Sequence, residues 1–103
     1  MSKLSHIPPL EEFHIINIDS EELEYSSNES LDDFSSSTII AVYKDLSVFS
    51  NLFSEKLTNL IIETDNFYYI LNIMDSSRIL LSKCSKKSNP SLISSLINKA
   101  IKK

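Results

Sequence analysis

The chain has 103 residues, 42% of them hydrophobic, and a formal net charge of −4. That length suits one domain, and that apolar fraction excludes a disordered chain. It has no Gly, one Cys and no apolar run of spanning length, which argues against a Gly-dependent phosphate loop, an internal disulfide and a transmembrane helix.

Residues 1–12 read as a flexible arm, and 13–103 as the folded domain. Pro8 and Pro9 favour extended backbone and oppose a long opening helix. The segment lacks the apolar stretch of a signal peptide, so the expectation is a cytoplasmic protein. Residues 13–25 read as two short strands. Ile15 and Ile16 are adjacent, so burial is expected on both faces there. Asp19 and Ser20 supply turn chemistry. Without Gly, positive φ must fall to Asn, Asp or Ser.

Residues 26–30 form a linker, with Ser30 as helix N-cap and Asp32 and Asp33 in the first turn. A long helix is expected over 31–53. Its apolar positions Ile39, Val42, Leu46, Phe49 and Phe53 recur every three or four residues. Ile40, Tyr43 and Leu52 lie beside them. This surface is wider than one sheet-facing stripe requires. Either the helix is deeply buried, or one flank packs on a second chain.

Three strand patterns follow, over 57–64, 67–74 and 78–84. Asp65-Asn66 forms a two-residue hairpin turn, and residues 75–77 form the next. Asn89 caps a last helix over 90–101, with Pro90 at its first position. The order β-β-α-β-β-β-α predicts an α+β fold, with a five-stranded antiparallel sheet, a long helix on one face and a C-terminal helix.

Catalytic signals are weak. His6 and His14 have no metal-ligand partners at suitable spacing. The acid pairs Glu11-Glu12, Glu21-Glu22 and Asp32-Asp33 lie in strands or a helix start, where structural roles explain them. Cys84 sits in an aliphatic run and reads as a buried thiol. No nucleophile–base pair is visible, so the expectation is a non-enzyme with no catalytic residues, cofactor or metal. All 14 acids lie in residues 1–77 with three bases, while residues 78–103 hold seven bases and no acid. Solvated charge is the preferred reading. The alternative is a basic face for an acidic partner, lipid headgroups or nucleic acid. Phe67, Tyr68 and Tyr69 lack interleaved bases, so no nucleic-acid partner is expected.

The stretch from Leu60 to Met74, the Ile79-Leu80-Leu81 run and the helix start from Asn89 to Ile93 resemble the Roadblock/dynein-light-chain family across 13–101. The chain departs from the usual pattern by lacking a helix before its first strand and Gly in its hairpins. It reads as a shortened form. The resemblance implies a homodimeric scaffold that binds and regulates a small GTPase, with any membrane contact made peripherally through a partner. The expected dimer interface is Ile39, Val42, Tyr43, Leu46, Phe49, Leu60 and Ile62. The alternative is a longin-like adaptor in membrane traffic.

Overall fold

The structure is a computed structural model, and its described residues are 10–27 and 33–101. The elements are β1 (Leu10–Asn17), β2 (Glu22–Ser26), α1 (Asp33–Asn51), β3 (Asn59–Glu63), β4 (Phe67–Ile73), β5 (Arg78–Ser85) and α2 (Pro90–Ile101). The expected α+β order is the observed one. Strand β1 takes in residues 10–12, which the sequence pattern assigned to the arm. The rest of the arm, His6, Ser30, Leu31 and Asp32 lie outside the described residues.

The sheet order is β2-β1-β5-β4-β3, and all four pairings are antiparallel. Two-residue alternation sends neighbouring side chains to opposite faces. Phe13, Ile15, Ile70, Leu80 and Cys84 form one cluster with Ile93 and Ile97 of α2. Ile16, Ile18, Leu71 and Ile79 form the other with Ile40 of α1. The two helices therefore cover opposite faces, giving three layers. The adjacent isoleucines of β1 serve one cluster each.

Helix α1 ends in a Schellman arrangement. The Glu55 amide donates to the Ser50 carbonyl at 3.3 Å and the Ser54 amide to the Asn51 carbonyl at 3.1 Å. Ser54 takes the left-handed conformation, with φ 55°, where Gly is usual because it has no Cβ to clash. The second positive φ, 59°, falls on Glu21. This corrects the expectation that Asn, Asp or Ser would take every such position. In the β1–β2 turn, the Asn17 side chain instead accepts from the Ser20 amide at 2.9 Å. Asn17 fixes the turn from before it, and Glu21 takes the bend that follows.

Helix α2 begins as its sequence suggests. Asn89 Oδ1 accepts from the amides of Ser91 and Leu92 at 3.1 and 3.2 Å. Its contact with the sheet also has a polar part. Asn72 Nδ2 donates to Ser94 Oγ and to Asn98 Oδ1, each at 3.1 Å, and Asn59 Nδ2 donates to Ser94 Oγ at 2.8 Å. This network sits beside Ile93 and Ile97 and fixes which stripe of α2 meets the sheet, because a rotated helix would leave buried amides unpaired.

Two outcomes test these local features. Ser54→Gly should stabilise the chain by up to about 1 kcal/mol, the lower end of the left-handed penalty for a residue with a Cβ, read as a rise in chemical-denaturation midpoint at unchanged slope. In the β4–β5 turn, Arg78 Nη2 and Nε donate to Asp75 Oδ2 at 2.7 and 2.9 Å. The Asp75 carboxyl is held below its ordinary value of 3.8, first by the Arg78 side-chain bond and then by the Ser77 amide. A depressed folded-state value stabilises the fold fully above pH 3.8 and loses that contribution as pH falls through the lowered value. The group is exposed, so Asp75→Asn should cost under about 1 kcal/mol at pH 7 and flatten the acid limb of the stability profile. An unchanged acid limb would show the turn pair to be idle.

Candidate functional site

The feature that the monomer's own packing leaves unexplained is the apolar surface of α1. At about 100° per residue, Ile40 faces the sheet, and Ile39, Tyr43 and Leu46 flank it on one side. Ile40 is only 2% exposed, and Ile39 and Tyr43 pack against the same cluster. The apolar surface does not stop there. It continues round that flank to Val42, Phe49 and Phe53, and beyond the exposed Asp45 lie Val48 and Leu52, all five apolar side chains exposed. Phe49 is 57% exposed and Leu52 is 75% exposed. Phe49 and Phe53 meet edge to face at 5.3 Å between centroids, so the ridge has a defined shape. Contiguous apolar patches on a monomer mark interaction surfaces.

The sheet's two edges differ in chemistry. Strand β2 carries Glu22 and Glu24 along one edge. Strand β3 reads Asn-Leu-Ile-Ile-Glu, uncharged until its last residue. Charge on an edge strand discourages pairing with another chain, so β3 is the edge open to extension. Its Ile62, 40% exposed, pairs in register with Tyr69 and lies on the α1 side of the sheet, as does Leu60 opposite Leu71.

The seven residues expected at a dimer interface therefore divide. Val42, Phe49 and Ile62 are exposed and Leu46 is half-buried. Ile39, Tyr43 and Leu60 already pack on the core beneath α1. Leu52 and Phe53 fall in the helical pattern but not among those seven, and Val48 is outside the pattern altogether. A helical wheel anchored on Ile40 would have placed Leu52 and Phe53 outward, while Val48, about 80° from Ile40, falls on its other flank.

The structure also assembles a group that sequence spacing did not show. His14 Nε2 is hydrogen-bonded to Glu12 Oε2 at 2.6 Å and His14 Nδ1 to Ser26 Oγ at 2.7 Å. The sequence reading saw no neighbours for His14, because these contacts come from strand pairing. The antiparallel pairing of β1 with β2 places Ser26 opposite His14, and a two-residue step places Glu12 on the same side. The imidazole is 2% exposed, so it is enclosed, and its two nitrogens are both engaged. Glu12 also lies 3.7 Å from Lys83. Such a chain ties the β1–β2 hairpin to β5. Of the other acid pairs, Glu21, Glu22 and Glu11 are exposed. Among the described residues no cluster of three or more His, Cys, Asp or Glu side chains suits a metal ion. A cleft of about 820 Å³ lies below the end of α1, lined by Tyr43, Ser47, Ser50, Thr58, Ile73 and Asn98 among others.

The basic C-terminal quarter is partly neutralised. Arg78 pairs with Asp75 at 2.7 Å and approaches Glu24 at 4.0 Å, and Lys86 pairs with Glu63. Lys83 also sits over the Phe67 ring, 4.0 Å from its centroid. No helix among the described residues is long and apolar enough to cross a membrane.

The surface reading separates two kinds of substitution. Phe49→Asp with Leu52→Asp should leave the melting behaviour of an isolated protomer within about 0.5 kcal/mol, as for surface sites generally. Ile40→Asp should unfold the chain, because it buries an unpaired carboxylate. Circular dichroism during urea titration distinguishes them, and comparable losses for both would place Phe49 and Leu52 in the core.

No family model matches the sequence, and no curated protein matches it. Solved structures do. MglB of Myxococcus xanthus is similar with a TM-score of 0.83 at 16% identity, over 96% of this chain and 83% of that one. A Roadblock/LC7 domain from Streptomyces avermitilis is similar with a TM-score of 0.70 at 11% identity, over 98% and 87%. Profilin of Schizosaccharomyces pombe reaches 0.74 at 14% identity, over 97% and 88%. The fold is that of the Roadblock/LC7 domain, as the sequence resemblance implied. Because profilin shares it, the fold by itself does not choose a function.

Proposed function

We propose that this chain is a non-enzymatic, dimeric adaptor that binds and regulates a small GTPase in the cytoplasm. The observation that carries the self-association is the apolar ridge of α1 beside a β3 edge uncharged until Glu63. Two copies related by a two-fold axis bury the same ridge on each other, as isologous contacts require. Phe49 and Phe53 are of the aromatic class that is enriched at the cores of such interfaces. The β3 edges then extend one sheet into the next.

The GTPase partner is supported by the Roadblock resemblance in the sequence together with the Roadblock/LC7 fold. The excess of acids in residues 1–77 favours a partner with a basic docking surface, chiefly through faster encounter. The non-enzymatic reading is supported by the enclosure of His14, which keeps substrate from the imidazole.

Light scattering on the purified protein should give twice the chain mass, and Phe49→Asp with Leu52→Asp should give the single mass. Pull-down against each small GTPase of the source genome at low salt should capture at least one. The double variant should weaken that capture at least tenfold, on the scale of losing one hot-spot side chain. Nucleotide hydrolysis by the chain alone, or a well-folded double variant that stays dimeric, would overturn the reading.

A further inference from the structure

Helix α2 has apolar residues where its packing does not use them. At about 100° per residue, Leu92, Ser95, Leu96 and Lys99 fall within about a quarter-turn arc. That arc is opposite the stripe of Ile93, Ser94 and Ile97, which is buried against the sheet. Leu92 is 56% exposed and Leu96 is 39% exposed. Leu92 lies toward the outward side of the helix, and Leu96, about 60° from Ile93, borders the buried stripe. They lie on the opposite side of the sheet from the α1 ridge, so a copy seated on α1 does not cover them.

Within the C-terminal segment that carries this stripe, the charge has one sign. Residues 78–103 contain no acid. Lys99 lies in the last turn of α2, Lys87 in the turn just before the helix, and both are exposed. Neither has a carboxylate partner among the described residues, unlike Lys83, Lys86 and Arg78. Glu63, on the strand beneath the helix, is neutralised by Lys86. In sequence, Lys102 and Lys103 follow directly. Two copies of this face would repel each other, which argues against a second α2 as its occupant.

We propose that the outward face of α2 docks on an anionic lipid bilayer, lying flat with Leu92 and Leu96 at the acyl boundary and the lysines among the headgroups. A convex helix with two unpartnered leucines and flanking lysines suits a planar, negatively charged, deformable surface. It offers no groove for a peptide. The chain's net charge of −4 does not forbid this, because the potential felt by the bilayer is screened beyond about 8 Å at physiological salt. Only the charges near the contact count.

The test is flotation of the purified full chain with two vesicle compositions: phosphatidylcholine alone, and phosphatidylcholine with about a third phosphatidylserine, the anionic lipid of such surfaces. Binding is expected to the second and not the first, and high salt should release it. Lys87→Gln with Lys99→Gln should weaken partition about 25-fold, roughly fivefold per lysine. Leu92→Ser with Leu96→Ser should weaken it about tenfold, from the lost apolar burial. All four side chains are exposed, and an unchanged thermal melt confirms that each variant folds. Equal binding to neutral vesicles, unaltered partition of the lysine variant, or no binding to anionic vesicles at low salt would overturn the proposal. The last result would leave an acidic protein segment as the occupant.

Discussion

The two-sided burial of β5 is the constraint on which the rest of the molecule depends. Ile79, Leu80, Ser82 and Cys84 are all fully enclosed, and the strand is paired on both edges, with β1 and with β4. A strand apolar on both faces requires cover on both faces. One helix cannot provide that, so α1 and α2 must lie on opposite sides. The central strand also joins the two hairpins, because β1–β2 and β3–β4 meet only through it. A substitution in β5 reaches both cores at once.

The helices meet that constraint in different ways. Helix α2 is short and seats itself with two isoleucines and a hydrogen-bonded set of Asn and Ser side chains. Apolar burial supplies most of the driving force, and the polar set supplies the choice of stripe. Helix α1 is longer and uses a broader apolar band, only part of which reaches the sheet. What is left over on α1 has an organised aromatic pair and lies on the same side of the sheet as Ile62. The surplus on α2 is smaller and flanked by lysines. The two outer layers thus carry different chemistry.

Much of this was legible in the residues. Alternation in 13–17 and 67–73, three-four spacing in 39–53, and turn residues at 65–66 and 75–77 each act locally, so a linear reading captures them. The Asn89-Pro90 helix start was equally plain. What escaped was set by pairing between distant segments. The His14–Glu12–Ser26 chain exists because of the register of β1 with β2, which no local pattern encodes. The left-handed Glu21 follows from how Asn17 closes its turn. The face chosen by α2 depends on Asn72, which reads in sequence as one polar residue inside an aromatic strand. For the candidate site, the breadth of the α1 band was visible at once. The division between its core-facing and outward members needed the helix to be set against the sheet.

The place of β5 in the chain also governs the order in which the molecule can be made. Asn17 pairs with Arg78, more than half the chain away, whereas β3, β4 and β5 follow one another through tight turns. Local pairings form faster than distant ones. During synthesis the β1–β2 hairpin emerges first and waits for its neighbour, with Phe13, Ile15 and Ile16 still lacking most of their cover. Glu22 and Glu24 protect one side of that waiting hairpin from stray strands. The other side stays open until β5 arrives. The chain is therefore most vulnerable to misassembly in the interval before its sixth element leaves the ribosome, and the acids of β2 guard it through that interval, while Glu24 also accepts a hydrogen bond from Asn17 in the finished fold.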